Sequence, residues 1–205
     1  MNRSPHVPPP RASKEPTLPR SRSRSREPVH SLDRLNAATA EAAEEALLAC
    51  CGSRRWARLI AGHRPYPDLD ALLAAGDEAS YDLTTADLDE ALADESMVGH
   101  PLPAADSLGT LAAHTALRAA HVEYERQFGH AFVICLDGLG PDAMLDRLLT
   151  GIRTRLGNER EVERTNTAEE LRRIARGRLA RLARGREVCR ESCGSGPPDR
   201  PYVPL

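Results

Sequence analysis

Apolar residues recur at helical spacing through most of this chain, and one short run breaks the pattern. Phe132–Cys135 is β-branched and aromatic, is too short for a helix and lies between Gly129 and Gly138. Such a run predicts a buried extended segment. Aromatic residues make up only 3% of the 205 residues, which disfavours a β-sandwich. We therefore expect an all-α, single-domain bundle of six to seven helices with one short extended segment.

Capping residues and helix breakers set the predicted helix boundaries. The predicted helices cover residues 40–51, 54–63, 69–75, 86–93, 107–128 and 141–156, and an arginine-rich last helix runs to Leu182. Gly76 is expected to stop the third of these. Pro141 suits the first turn of a helix. Thr167 and Glu170 have the spacing of a capping box, which predicts the start of the last helix.

The two ends of the chain differ in composition from its middle. Residues 1–30 are rich in Pro, Ser and Arg, with an Arg-Ser repeat over 20–26. They contain too little apolar surface to offset the entropy of ordering, so we expect a disordered tail. The repeat is read either as a basic, solvated tail or as a weak nucleic-acid contact. The helical domain then covers residues 31–184, and residues 185–205 are expected to form a loose tail.

Charge is unevenly distributed although the formal net charge is only −2. Residues 66–106 contain acids and no Arg or Lys, whereas arginine dominates residues 172–190. The start of the chain lacks an apolar signal region, and no run reaches the roughly 20 apolar residues of a membrane span. We therefore expect a cytoplasmic protein with reduced cysteines. Cys189 and Cys193 have helical spacing, but no further His or Cys lies near them, so we expect no metal site.

Two residues are candidates for chemistry. Arg178 lies on the apolar stripe of the last helix, four residues after Ile174 and four before Leu182. A charged side chain on such a stripe needs an ionic partner or an anionic ligand. His100 lies in a predicted loop near Asp94 and Glu95, and is either a general acid or base or an exposed loop histidine. Phosphate-binding glycine loops, zinc-protease motifs and hydrolase nucleophile motifs are absent from the sequence.

Several short motifs together resemble the 2-oxo-4-hydroxy-4-carboxy-5-ureidoimidazoline (OHCU) decarboxylase family. They occur in the order in which that family has them, between about Leu32 and Leu182. The motifs are Leu35-Asn36, Leu48-x-x-Cys51-Gly52-Ser53-x-Arg55-Trp56-Ala57, Arg64-Pro65-Tyr66-x-Asp68, Tyr124-Glu125-x-x-Phe128-Gly129-x-x-Phe132-Val133-Ile134-Cys135, Arg155-Leu156-Gly157-Asn158 and Glu170-x-x-Arg173-Ile174-x-x-x-Arg178-Leu179.

The resemblance implies an all-α, usually dimeric enzyme that needs no cofactor. Members convert the OHCU intermediate of urate breakdown into (S)-allantoin. Loss of CO2 leaves a carbanion that the imidazoline ring delocalises, so the site must grip the carboxylate, supply a proton and fix the leaving bond. By resemblance, Arg178 holds the anion, and Phe132 and Ile134 line the pocket with main-chain groups facing the ring.

The chain departs from the family pattern in one region. The family carries His-Pro-Arg-Ile-Gly after the helix corresponding to residues 86–93, and that His is catalytic; this chain has Glu95-Ser-Met-Val-Gly. A Glu-Gln pair that follows in the family has no counterpart here. Proton transfer is therefore assigned to His100 or Glu95. The alternative functions are a catalytically degenerate relative that binds a small ureide anion, and association with nucleic acid through the tail and the basic last helix.

Overall fold

The computed structural model describes residues 31–95 and 108–185, with the backbone alone at 108–110, 141 and 142. These ranges contain eight helices and no strand, which confirms the all-α prediction. The helices are α1 (Ser31–Ala37), α2 (Ala40–Leu48), α3 (Arg54–Gly62), α4 (Leu69–Tyr81), α5 (Thr85–Ala93), α6 (Leu108–Phe128), α7 (Pro141–Leu156) and α8 (Arg160–Ala183). The predictions for the 1–30 tail, for His100, and for the C-terminal tail with Cys189 and Cys193 lie outside the described residues.

The larger of two apolar cores is formed by α1–α5 and the second half of α8. Trp56 on α3 is fully buried there, and its Nε1 donates to the carbonyl of Gly76 at 3.0 Å and to Oγ of Ser80 at 3.0 Å. Leu171, Ala175, Leu179 and Ala183 bring α8 into this core. Ile174 and Leu182, which the sequence placed on the apolar stripe of the last helix, are partly buried against the same core.

The smaller core lies between α6, α7 and the segment that joins them. Gly129 ends α6 with φ +82°, the left-handed conformation that glycine adopts without strain. In the following residues Phe132 and Ile134 point into this second core, whereas Val133 points into the first. Side chains that alternate between two faces are typical of an extended backbone, so the predicted buried extended segment is confirmed.

Two predicted helix boundaries are wrong for a tertiary reason. α4 continues through Gly76 to Tyr81, because this glycine packs against α8, where a Cβ would lie 2.8 Å from Cδ2 of Leu179. α8 begins at Arg160, so Thr167 is an interior, buried residue and not a cap. Its hydroxyl accepts a hydrogen bond from Arg155 Nη2 at 2.8 Å, and the Glu170 carboxylate accepts one from the Cys135 amide at 2.8 Å.

Other boundaries also differ from the predictions. α1 was not expected, and α2 ends at Leu48, three residues before its predicted end. Leu111 and Val122 of α6 are apolar but do not face the core, since they are 54% and 67% exposed. The inner face of α6 instead carries Leu117, His121, Tyr124 and Phe128.

Loops near the N-terminus are fixed by polar side chains rather than by helix packing. The amide side chain of Asn36 pairs with the backbone of Tyr66 in both directions, at 2.9 Å each. The Arg64 guanidinium donates to the carbonyls of Leu35 and Ala38, at 2.5 and 2.9 Å. Tyr66 reaches the carbonyl of Ile60 with its hydroxyl at 2.8 Å, and burial raises its pKa to about 12. These contacts tie α1 to the turn between α3 and α4.

Candidate functional site

Glu95 lies two residues beyond the end of helix α5. The helix begins with a capping box in which Thr84 and Asp87 bond each other's backbone amides, and Leu88 and Leu92 anchor it in the larger core. Beyond its end, Asp94 packs on Gly52, where a Cβ would lie 2.6 Å from Cβ of Asp94. The absence of a side chain at position 52 therefore lets the end of α5 approach the α2–α3 junction.

Glu95 and Arg178 form a bidentate ion pair. Nη1 and Nη2 of Arg178 donate to the two carboxylate oxygens of Glu95 at 2.5 and 3.0 Å, and Nη1 also donates to the Cys50 carbonyl at 3.3 Å. The side chains are only 17% and 12% exposed. Burial lowers the pKa of Arg178, but the hydrogen bonds and charge of Glu95 outweigh it and raise the pKa above its usual value. The guanidinium is therefore charged and already bound to a carboxylate.

A cleft of about 500 Å³ lies beside this pair and has Glu95 in its wall. The C-terminal half of α5 forms one side, and the end of α6 with the turn after it forms the other. The lining residues are Asp89, Leu92, Ala93, Glu95, Glu125, Gly129, His130 and Ala131. The cleft thus borders the ion-pair partner of Arg178, the arginine that the sequence connected with anion binding.

The structure brings together some of the predicted site residues and separates others. Arg178 and Glu95 meet, whereas Phe132 and Ile134 are buried in the smaller core, 1% and 2% exposed, with the cleft reaching the chain just before them at His130 and Ala131. His100 lies outside the described residues, so its role stays a prediction.

A buried polar network holds the extended segment beside the cleft. Arg155 donates to the carbonyl of Val133 at 2.6 Å and to Glu163 at 2.6 Å, and Tyr124 donates to the same carboxylate of Glu163. Asn158 adds a bond to the second Glu163 oxygen at 2.8 Å. Glu163 is fully buried, and burial raises its pKa, but these donors outweigh that effect and hold the pKa below its usual range.

Sequence reasoning missed Glu125, His130 and the Arg155–Glu163 pair. Helical spacing alone shows which residues share a face, but Arg155 and Glu163 lie on different helices, so their contact depends on the α7–α8 turn. Tyr124, Arg155 and Asn158 do belong to motifs that carry the family resemblance. Their presence in these motifs was the one sequence signal for the network, and it indicates a structural role and not a catalytic one.

The other arginines of α8 are largely neutralised by acids. Arg172 and Arg176 pair with Asp77, Arg173 with Glu169 and Glu170, and Arg181 with Asp137. The basic helix predicted from the sequence therefore meets acidic side chains from α4, from the segment between α6 and α7 and from α8 itself. Arg178 borders the cleft through its partner Glu95, and Arg164 borders it through its partner Asp89. Within the described ranges, no helix has an apolar stretch long enough to cross a bilayer, and no group of His, Cys, Asp or Glu is arranged to hold a metal ion.

Solved structures with a similar fold include an OHCU decarboxylase and an (S)-allantoin synthase. A crystal structure of an OHCU decarboxylase in the presence of (S)-allantoin superposes with a TM-score of 0.54 and 26% identity, over 68% of this chain and 96% of that one. A structure of an (S)-allantoin synthase superposes with a TM-score of 0.55 and 17% identity, over 74% of this chain and 53% of that one. No curated protein sequence matches significantly.

The family model for OHCU decarboxylase matches residues 36–180. The match therefore spans α1 to α8 and includes both members of the Glu95–Arg178 pair. Together with the helical fold and the retained motifs, this match shows that the chain belongs to the OHCU decarboxylase family.

Proposed function

We propose that this protein decarboxylates OHCU to (S)-allantoin in urate breakdown, without a cofactor, in the cleft between α5 and the turn after α6. The observation that carries the proposal is the fork of Arg178, which binds a carboxylate in the structure. The Glu95 side chain that it holds has the same charged group as the substrate. An arginine on a rigid helix therefore supports recognition of a small carboxylate at this place.

The proposed reaction divides between two functions of the site. The C–COO⁻ bond breaks, CO2 leaves, and the bonding electron pair delocalises into the imidazoline ring. A proton is then added from one face to the neighbouring ring carbon, which bears the ureido group. The hydroxyl proton passes to the ring nitrogen that took up the electron pair as the hydroxyl carbon becomes a carbonyl, and a single enantiomer of allantoin results. Arg178 orients the carboxylate, Glu95 or His100 transfers the proton, and Phe132 and Ile134 present main-chain groups toward the ring. Location in the cytoplasm and a homodimeric state belong to the same proposal.

The test is optical. OHCU decays spontaneously to racemic allantoin, so circular dichroism of the fresh product distinguishes catalysis from background. The wild-type protein is expected to give excess (S)-allantoin. In Arg178→Lys the charge remains and the fork is lost, and since hydrogen bonds to charged groups contribute about 1.5–3 kcal/mol, kcat/KM should fall roughly 10- to 100-fold.

Arg176→Lys is the matched control, because Arg176 is two residues away on α8 and pairs with Asp77 on the surface. It should retain wild-type kcat/KM. If the wild-type protein gives racemic allantoin at the spontaneous rate, the decarboxylase proposal is wrong.

A second candidate function is favoured by one observation. By resemblance, Glu95 takes the place of the family's catalytic histidine, and in the structure it occupies the Arg178 fork. A relative that has lost turnover but keeps the cleft would bind a ureide without consuming it. Thermal stabilisation by such a ligand, together with racemic product, would support this candidate, whereas enantiomeric excess would exclude it.

A further inference from the structure

We propose that the Glu95 carboxylate competes with ligand carboxylates for the Arg178 guanidinium, so that a ligand carboxylate binds Arg178 by displacing that of Glu95. The inference rests on the proposed role of Arg178 as the anion anchor. It goes beyond that role by assigning Glu95 as the residue that determines which carboxylates enter the site.

The hydrogen bonds of Arg178 show why both carboxylates cannot share the fork. Both N–H groups of Nη1 are used, one by Glu95 and one by the Cys50 carbonyl, and Nη2 donates to the second oxygen of Glu95. A planar guanidinium presents a limited set of donors in fixed directions. A second carboxylate on the same edge therefore requires Glu95 to leave.

The surroundings of Glu95 give its side chain a place to go. α5 ends at Ala93, so the backbone of Glu95 is no longer in the helix, and its side chain forms part of the wall of the 500 Å³ cleft. Moving the carboxylate toward the cleft exposes it to water, which offsets part of the lost ion pair. Arg178 has no comparable freedom, because α8 fixes its backbone and its side chain is mostly buried.

This arrangement selects among ligands. A simple carboxylate offers Arg178 no more than Glu95 already does, and Glu95 is tethered at high effective concentration. A ligand gains entry only if other groups, such as ureido donors and acceptors, bind the cleft as well. Weak binding of acetate and tighter binding of a ureido carboxylate are therefore expected for the wild-type protein.

Glu95→Ala tests the competition directly. The substitution removes the atoms of one acetate and leaves a buried guanidinium beside the gap. Acetate, added against chloride at constant ionic strength, should raise the melting midpoint of this variant with a saturable dependence. At ten times its Kd the expected shift is roughly 3–6 °C, and the wild-type midpoint should not move.

Glu90→Ala is the matched control, since Glu90 is also on α5 but pairs with Arg54 at the surface. Acetate should not shift its midpoint. If acetate stabilises Glu95→Ala no more than it stabilises the control, a free carboxylate does not bind Arg178 in place of Glu95, and the proposal is overturned.

Glu95→Gln keeps the size of the side chain and provides a second test should the alanine variant not fold. Calorimetric titration with allantoate, a carboxylate with two ureido groups, should give a Kd at least tenfold lower for this variant than for wild type. The double variant Glu95→Gln with Arg178→Gln should lose that gain.

The outcomes separate this inference from the proposed function. Equal or weaker allantoate binding by Glu95→Gln overturns the competition, whatever the turnover. Tighter binding by Glu95→Gln with racemic product from the wild-type protein supports the competition and removes the decarboxylase assignment. If Glu95 also transfers the proton, both KM and kcat of Glu95→Gln fall, and the direct Kd still reports the competition.

Discussion

Replacing Arg155 by Met tests how much the buried Arg155–Glu163 ion pair stabilises the fold around the cleft. Arg155 is 8% exposed and bonds the carbonyl of Val133, the carboxylate of Glu163 and the hydroxyl of Thr167. Met fills a similar volume and offers no donor. The variant therefore leaves Glu163, which is fully buried, with its charge uncompensated by a cation.

The expected cost follows from that charge. Removing one partner of a buried ion pair costs about 3–5 kcal/mol, because the other partner stays in a poorly solvated place. Tyr124 and Asn158 still donate to Glu163, which keeps the loss from rising further. We expect the free energy of unfolding at pH 7 to fall by about 3–5 kcal/mol.

The pH dependence separates electrostatics from packing. In the wild-type protein the pKa of Glu163 is lowered, so its contribution is present above about pH 4.3, the unfolded pKa, and is lost as the pH falls through the folded pKa. In the variant, burial without a cation raises this pKa. Protonation then relieves the penalty as the pH falls, so the difference between the two proteins should shrink toward pH 4.

The assay is urea unfolding followed by circular dichroism between pH 4 and pH 7. Arg153→Met is the matched control, because Arg153 is an exposed arginine on the same helix, two residues away. It should change stability by no more than about 0.5 kcal/mol. A loss for Arg155→Met that is below about 1 kcal/mol, or that stays constant with pH, would refute the electrostatic reasoning.

Two further predictions concern the larger core. Gly76→Ala should destabilise the protein by about 1–3 kcal/mol, since the new Cβ would lie 2.8 Å from Leu179. Gly62→Ala, which has open space around it, should be neutral or slightly stabilising. Urea unfolding measures both variants, and equal effects would contradict the packing of α4 on α8. Trp56→Phe should cost about 1–3 kcal/mol, because the smaller ring leaves space in the core and the indole hydrogen bonds to the Gly76 carbonyl and to Ser80 are lost, although Ser80 still donates to that carbonyl. Trp56 is the only tryptophan, so circular dichroism must replace fluorescence, and a loss below about 0.5 kcal/mol would contradict the role of those hydrogen bonds.

Local signals in the sequence were sufficient for most helix starts and for the extended segment. Ser53, Asp68 and Thr84 are residue types that favour helix starts, and each accepts a backbone hydrogen bond as an N-cap. These interactions lie within one turn of the chain, so residue type and spacing contain the information. Gly76 and Thr167 misled the prediction because both positions are determined by contacts with distant helices.

The uneven charge distribution along the sequence reflects ion pairs between helices, which helical spacing alone did not predict. An acidic stretch over residues 66–106 and an arginine-rich last helix were seen as an asymmetry along the chain. In the structure they are partners: Asp77 meets Arg172 and Arg176, and Glu95 meets Arg178. The sequence indicated complementary charge, but only the packing of α4 and α5 against α8 shows which acid meets which arginine.

The motifs that identify the family are mostly parts of the scaffold, and this limits what family membership says about turnover. Asn36, Arg64 and Tyr66 fix the N-terminal loops, while Arg155 holds Glu163 and the extended segment. Selection for a stable fold would keep such residues whether or not catalysis survives. We expect activity to depend instead on the junction of α5 and α8, where Glu95 pairs with Arg178. On our proposal, ligand binding at this junction requires the Glu95 carboxylate to release the guanidinium.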